Sequence, residues 1–200
     1  IAAAVAPASV MPVLKANAYG HGAVPVAQTA LEAGAGRLAV VCVDEGEQLR
    51  RAGIRAPILV LSYTPLADAE RAVELDLTLT ITSRRMATAL SGFATASDRT
   101  AKVHLKVDTG LNRFGGSPAE VRALAEAIRG LPGLEVEGLF THFIDGALTQ
   151  LTTEQTERIV SEARRRFHKH NAGRRFVEGE LFAALAHSSR DDLSPTTVRE

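Results

Sequence analysis

Short apolar runs rich in β-branched residues recur along the chain at 10–16, 38–43, 57–63, 77–82, 102–108 and 136–143, with a weaker one at 181–188. Most are apolar at consecutive rather than alternating positions, the pattern of parallel strands covered on both faces. Between these runs the apolar residues fall at helical spacing. The best punctuated helix begins at Ser117: Ser117, Pro118 and Glu120 supply an N-cap, a first-turn proline and the second half of a capping box. Val121, Leu124 and Ile128 then share one face, and Gly130 with Pro132 ends the helix. A second box, Thr152 to Gln155, opens a helix with Ile159, Ala163 and Phe167 on one side. Regular alternation of strand and helix predicts an α/β architecture with a parallel sheet.

An open doubly wound sheet and a closed barrel share this alternation. In a (β/α)8 barrel the chemistry gathers at the carboxyl ends of many strands, whereas a doubly wound sheet concentrates it at one switch point. Lys15, the stretch from Lys106 to Arg113, His142 and the pair His187-Ser188 each fall at or just after the end of a different predicted strand. That distribution favours the TIM-type barrel. With seven strands in 200 residues, the chain reads as a single, partial barrel domain over 1–200.

Composition removes several classes of function. The 23 basic and 23 acidic residues balance, so no global field attracts nucleic acid or an anionic membrane. No apolar run reaches the roughly 18 residues of a membrane span. Cys42 is the only cysteine, and inside an apolar run it reads as a buried core residue in a reducing, cytoplasmic setting. His168 and His170 point to opposite sides of a helix, so no metal site is assigned. His104 reads as a packed strand residue.

The stretch "VLKANAYGHG" at 13–22 invites a dinucleotide reading, because its Gly-x-Gly follows a strand and Asp44 and Glu45 close the next one. Pro25 stands where the third glycine of that fingerprint belongs, and the reading fails. Lys15 offers a different chemistry. An amine at the end of a parallel strand faces a pocket, where it can act as a nucleophile toward an aldehyde, and pyridoxal phosphate is the biological aldehyde that uses such a lysine. Tyr19 lies four residues on, within reach of a phosphate at the same strand end. Gly20 and Gly22 allow close backbone approach. A second cluster, "HLKVDTGLNRFG" at 104–115, ends a strand and supplies Arg113 as a cation for a carboxylate or a phenolate oxygen.

Together with "GLFTHF" at 138–143, these motifs resemble the alanine racemase family in sequence and in order. The resemblance implies a pyridoxal phosphate enzyme built from an amino-terminal (β/α)8 barrel and a carboxyl-terminal β domain. It also implies a homodimer that interconverts L- and D-alanine for peptidoglycan synthesis. Lys15 resembles the family's Schiff-base lysine, which is also one of its two catalytic bases, and Tyr19 its phosphate-binding tyrosine. Lys106 resembles the lysine often found carbamylated, and Arg113 the arginine that touches the cofactor ring hydroxyl and the substrate carboxylate. His142 resembles the histidine beside the ring, Ser188 a phosphate-binding serine, and Arg199 the arginine at the pyridine nitrogen.

Departures accompany the likeness. His187 stands where the family has asparagine, Leu111 replaces a methionine, and the segment from Ser188 to Arg199 is a few residues short. The family's second base is a tyrosine of the carboxyl-terminal domain, and by position neither Tyr19 nor Tyr63 fills that role. The expectation is therefore a domain truncated at both ends, lacking the β domain, with little racemase activity alone. A racemase of another small amino acid such as serine, and a non-catalytic pyridoxal phosphate carrier or inactive fragment, stand as the alternatives.

Overall fold

The computed structural model of the chain describes residues 9–142. Five parallel strands form one sheet in the order of the sequence: β1 (Leu38–Val40), β2 (Ile58–Val60), β3 (Leu77–Ile81), β4 (Ala101–Val107) and β5 (Leu134–Thr141). Helices separate them: α1 (Ala23–Glu32), α2 (Val43–Arg51), α3 (Ala69–Glu74), α4 (Arg84–Ala96) and α5 (Pro118–Ile128). Ahead of β1, Val13 forms a parallel bridge to Ala39. The chain therefore starts one strand position further out on the same edge. No reversal of strand order occurs among the described residues, which separates this singly wound sheet from a doubly wound one.

The strands hold because each is covered twice. On the outer face Leu38, Val40, Ile58, Val60, Leu79, Val103 and Leu105 join Leu49, Leu90, Ala94 and Ile128 of the helices in one buried cluster. On the other face Ala39, Leu59 and Phe140 form a second cluster with Met11, Val13 and Leu61. Lys106 and His104, which alternate with the outward residues of β4, are buried there too. A parallel sheet with helices on one face and a layered interior on the other is the construction of a barrel wall.

Helix α5 starts as its sequence predicts. Ser117 Oγ accepts from the Glu120 N–H at 3.3 Å and the Glu120 carboxylate accepts from the Ser117 N–H at 2.8 Å, with Pro118 in the first turn. The run at 10–16 departs from its predicted form: only Val13 pairs as a strand, and from Ala16 the backbone turns left-handed. Cys42 is also displaced, half-buried at the N-cap of α2 rather than in the core, because β1 ends at Val40. The strand predicted at 181–188, the helix opened by Thr152, His168 and His170 lie outside the described residues.

Candidate functional site

All strands run the same way, so the segments that follow them emerge at one end of the sheet. That end carries Lys15 after Val13, Glu45 after β1, Tyr63 and Thr64 after β2, Thr82 and Ser83 after β3, the segment 108–116 after β4 and His142 after β5.

The segment that holds Lys15 is unusual in its backbone. Ala16, Asn17, Ala18 and Tyr19 have φ of 51°, 55°, 53° and 55°, a full left-handed turn without a glycine. Each such residue costs roughly 1–2 kcal/mol, so the surroundings must specify the turn. They do so from several directions. The Ala18 N–H donates to the Leu14 carbonyl at 2.8 Å and the Gly22 N–H to the Asn17 carbonyl at 2.9 Å. The Asn17 side chain accepts the first N–H of α1, that of Ala23, at 2.8 Å. Glu45 reaches across from α2, accepting from the Ala16 N–H at 2.7 Å and from the Val41 N–H at 2.7 Å. The left-handed turn returns Tyr19 beneath Lys15, whose Nζ lies 5.6 Å from the ring centroid. Tyr19 is 63% exposed.

The segment after β4 is a strap tied back onto the strand. Asp108 Oδ1 accepts from the N–H groups of Gly110 at 2.8 Å and Asn112 at 3.1 Å. These bonds, helped by the Lys106 charge, hold the Asp108 carboxyl below its usual range. The Asp108 N–H donates to the Gly116 carbonyl and the Gly116 N–H to the Lys106 carbonyl, closing the strap. Thr141 donates to the Val107 carbonyl at 2.8 Å, so the 2.9 Å contact between the hydroxyls has Thr109 as donor. Arg113 is exposed on this strap. Lys106 is 5% exposed, its Nζ 4.7 Å from the Phe140 ring centroid. Residue 114 also lines a cleft of about 260 Å³ with Tyr63, Thr64, Thr80, Thr82 and Arg85, where the buried Thr64 hydroxyl has no protein partner.

Deeper in the interior lies a polar layer. Arg37 donates to Glu137 at 2.6 Å, and His104 Nε2 lies 3.3 Å from Arg37 and 3.4 Å from Glu137. Burial keeps His104 neutral to a lower pH than usual. Burial alone would raise Glu137, but the hydrogen bonds of His104 and Arg37 and the Arg37 charge take it down to about 2. Glu137 is the extra residue of a bulge, since Val103 pairs with Val136 and His104 with Gly138. A Cβ at Gly138 would stand 2.5 Å from the His104 ring, so any other residue would force the buried ring to shift.

Of the residues singled out in the sequence, Lys15 and Tyr19 are brought together on one turn. Lys106, Arg113 and His142 occupy the same end of the sheet on β4, its strap and the end of β5. Ser188 and Arg199 lie outside the described residues. Sequence reasoning considered Glu45 only as a ribose-binding acid; the structure employs it against the Ala16 and Val41 amides. The cluster of Arg37, His104 and Glu137 was not anticipated, although a charged residue beside an apolar run was its signal. The amine, the adjacent tyrosine hydroxyl and the open backbone at Gly20 are a donor set that fits an aldehyde bearing a phosphate. Among the described residues no three His, Cys, Asp or Glu side chains gather to hold a metal ion.

A singly wound parallel sheet with helices outside it and polar groups collected at its carboxyl end, one of them an amine anchored on a constrained turn, is the wall of a TIM-type (β/α) barrel domain. Residues 1–178 match the family described as alanine racemase, N-terminal domain, and the chain belongs to that family. It is 50% identical over 136 residues to the alanine racemase of Desulforamulus reducens, covering 67% of this chain and 36% of that protein. To the alanine racemase of Symbiobacterium thermophilum it is 45% identical over 157 residues, covering 76% and 42%. The solved alanine racemase of Clostridium difficile 630 in complex with cycloserine superposes with a TM-score of 0.76 at 31% identity, covering 87% of this chain and 48% of that one. The histidine racemase of Leuconostoc mesenteroides subsp. sake superposes with a TM-score of 0.73 at 28% identity, covering 91% and 49%. The chain spans less than half the length of these relatives.

Proposed function

We propose that this chain is the cofactor-bearing barrel domain of a pyridoxal-phosphate-dependent racemase that interconverts L- and D-alanine. The observation that carries the reading is the placement of Lys15 and Tyr19 on one left-handed turn at the carboxyl end of the sheet. The relatives named alanine racemase support it.

Lys15 would hold the cofactor through its amine and return a proton to one face of the substrate α-carbon. Tyr19 would donate its hydroxyl to the phosphate, joined by Ser188. His142 would lie against the ring, and Arg199 would donate to the pyridine nitrogen. Arg113, oriented by a carbamylated Lys106, would bind the substrate carboxylate. When bound, the cofactor supplies an electron sink for the electron pair left at the α-carbon. Racemisation needs a base on each face, and by their positions in the sequence neither Tyr19 nor Tyr63 matches the family's second. We assign that base to a tyrosine of a carboxyl-terminal β domain, delivered across a homodimer. The product would feed peptidoglycan synthesis in the cytoplasm. No helix among the described residues is long and apolar enough to cross a membrane.

The histidine racemase neighbour favours a second reading, in which the same domain serves another amino acid. Incubation with pyridoxal phosphate and single enantiomers of alanine, serine and histidine in deuterated water tests both. Racemisation of alanine, lost in Lys15→Ala, is the expected result. Racemisation of another amino acid alone selects the second reading. Exchange of the α-proton without racemisation indicates one base, and neither reaction in the protein with its natural flanking sequence overturns the proposal. The 200 residues alone should fall well below ordinary enzyme rates of roughly 1 per second.

A further inference from the structure

Glu45 divides its carboxylate between two backbone donors on different elements. Oε1 accepts from Ala16 at 2.7 Å and Oε2 from Val41 at 2.7 Å. The Ala16 N–H belongs to the peptide plane that contains the Lys15 carbonyl carbon, so holding that N–H restrains rotation about the Lys15 Cα–C bond, and with it the direction of the Cα–Cβ bond. Val41 directly follows β1, so the second bond fastens the same carboxylate to the sheet. Glu45 itself lies in the first turn of α2. One side chain thereby couples the strained turn, the strand end and the helix. The neighbouring Asp44 pairs instead with Arg71 at 2.6 Å on the outside, 76% exposed.

We propose that Glu45 is the positioning residue for the Lys15 amine, clamping the Lys15–Ala16 peptide to the end of β1 so that the amine is presented to the cofactor carbonyl. This rests on the reading of Lys15 as the cofactor lysine. An amine on an untethered turn samples many directions, and attachment slows in proportion. Gln in place of Glu45 keeps the volume but has one acceptor oxygen, so it can serve one of the two amides and turns an NH2 group toward the other. Ala serves neither.

The test compares Glu45→Gln, Glu45→Ala and, as a control, Asp44→Asn. Pyridoxal phosphate is added to the cofactor-free protein in its natural sequence context. The rise of visible absorbance is followed, the pH midpoint of that band is titrated, and the borohydride-reduced label on Lys15 is located by mass spectrometry. The Glu45 variants should keep wild-type circular dichroism, load Lys15 at least tenfold more slowly and shift the pH midpoint, with Gln milder than Ala. Asp44→Asn should stay within twofold of wild type. Folded Glu45 variants that load at the wild-type rate with an unchanged midpoint overturn the proposal, even if their melting temperature falls. Should neither variant fold, amide exchange in the wild type decides: slow exchange at Ala16 and Val41 supports the clamp, and rapid exchange at either overturns it. Wild-type protein that takes no label on Lys15 contradicts the reading of the site instead, leaving the exchange data to judge the clamp.

Discussion

Replacing Glu137 by Gln should flatten the acid limb of this protein's stability curve. The Glu137 carboxyl titrates at about 2 in the fold against 4.5 ordinarily, and at about 1.4 kcal/mol per pH unit that displacement corresponds to about 3 kcal/mol. A carboxylate with a depressed folded pKa stabilises fully above its unfolded value, and the contribution disappears as pH falls from about 5 toward 2. His104 acts in the same direction from a higher starting point. Its folded pKa lies below the ordinary 6.5, so protonation of the unfolded chain erodes stability as pH drops through that value. At pH 7 the substitution removes the negative partner of Arg37, whose side chain is only 10% exposed. Breaking such a pair costs about 3–5 kcal/mol when a buried charge is stranded, with Gln recovering part through its amide oxygen. Urea unfolding of wild type and Glu137→Gln at half-unit steps from pH 7.5 to 3 measures both effects. Because the scan stops a unit above the folded value, the wild type should lose about 2 kcal/mol more than the variant between pH 5 and pH 3. Parallel curves would refute the assignment of acid sensitivity to this cluster.

Gly138→Ala should cost about 1–3 kcal/mol, because the new Cβ meets the buried His104 ring at 2.5 Å, and chemical denaturation reads the loss. Arg50→Ala should cost about 2–3 kcal/mol. Its guanidinium donates to the carbonyls of Ile54, Ala56, Leu75 and Asp76, and Arg50→Lys should restore only part of the loss in thermal melts. Ser117→Ala should lower stability by about 1 kcal/mol through loss of the α5 cap, measured by the same melts, without changing cofactor loading of Lys15.

What the sequence showed, and what it hid, divides along local and long-range physics. Short runs with β-branched content at 77–82 and 102–108 announced β3 and β4, and the Ser117, Pro118 and Glu120 triplet announced the start of α5, because these signals depend on residues a few places apart. The motif around Lys15 was equally legible as chemistry. Its backbone was not: four successive left-handed residues without a glycine contradict local preference and rest on contacts that include Glu45, 29 positions away from Ala16. The pairing of Arg37 with Glu137 spans 100 positions, beyond any periodicity argument. The preference for glycine at 138 arises from a His104 ring on the neighbouring strand, and a glycine within an apolar run gave no sign of that neighbour. For Cys42, the apolar run at 38–43 suggested a strand that continued three residues further than β1 does.

The central claim is that Lys15 carries the cofactor, and one experiment meets it directly. The protein is mixed with pyridoxal phosphate, reduced with borohydride, digested and mapped by mass spectrometry. The account predicts a single stoichiometric label on the peptide containing Lys15, absent in Lys15→Ala. Label on another lysine, or none on correctly folded protein, would contradict it.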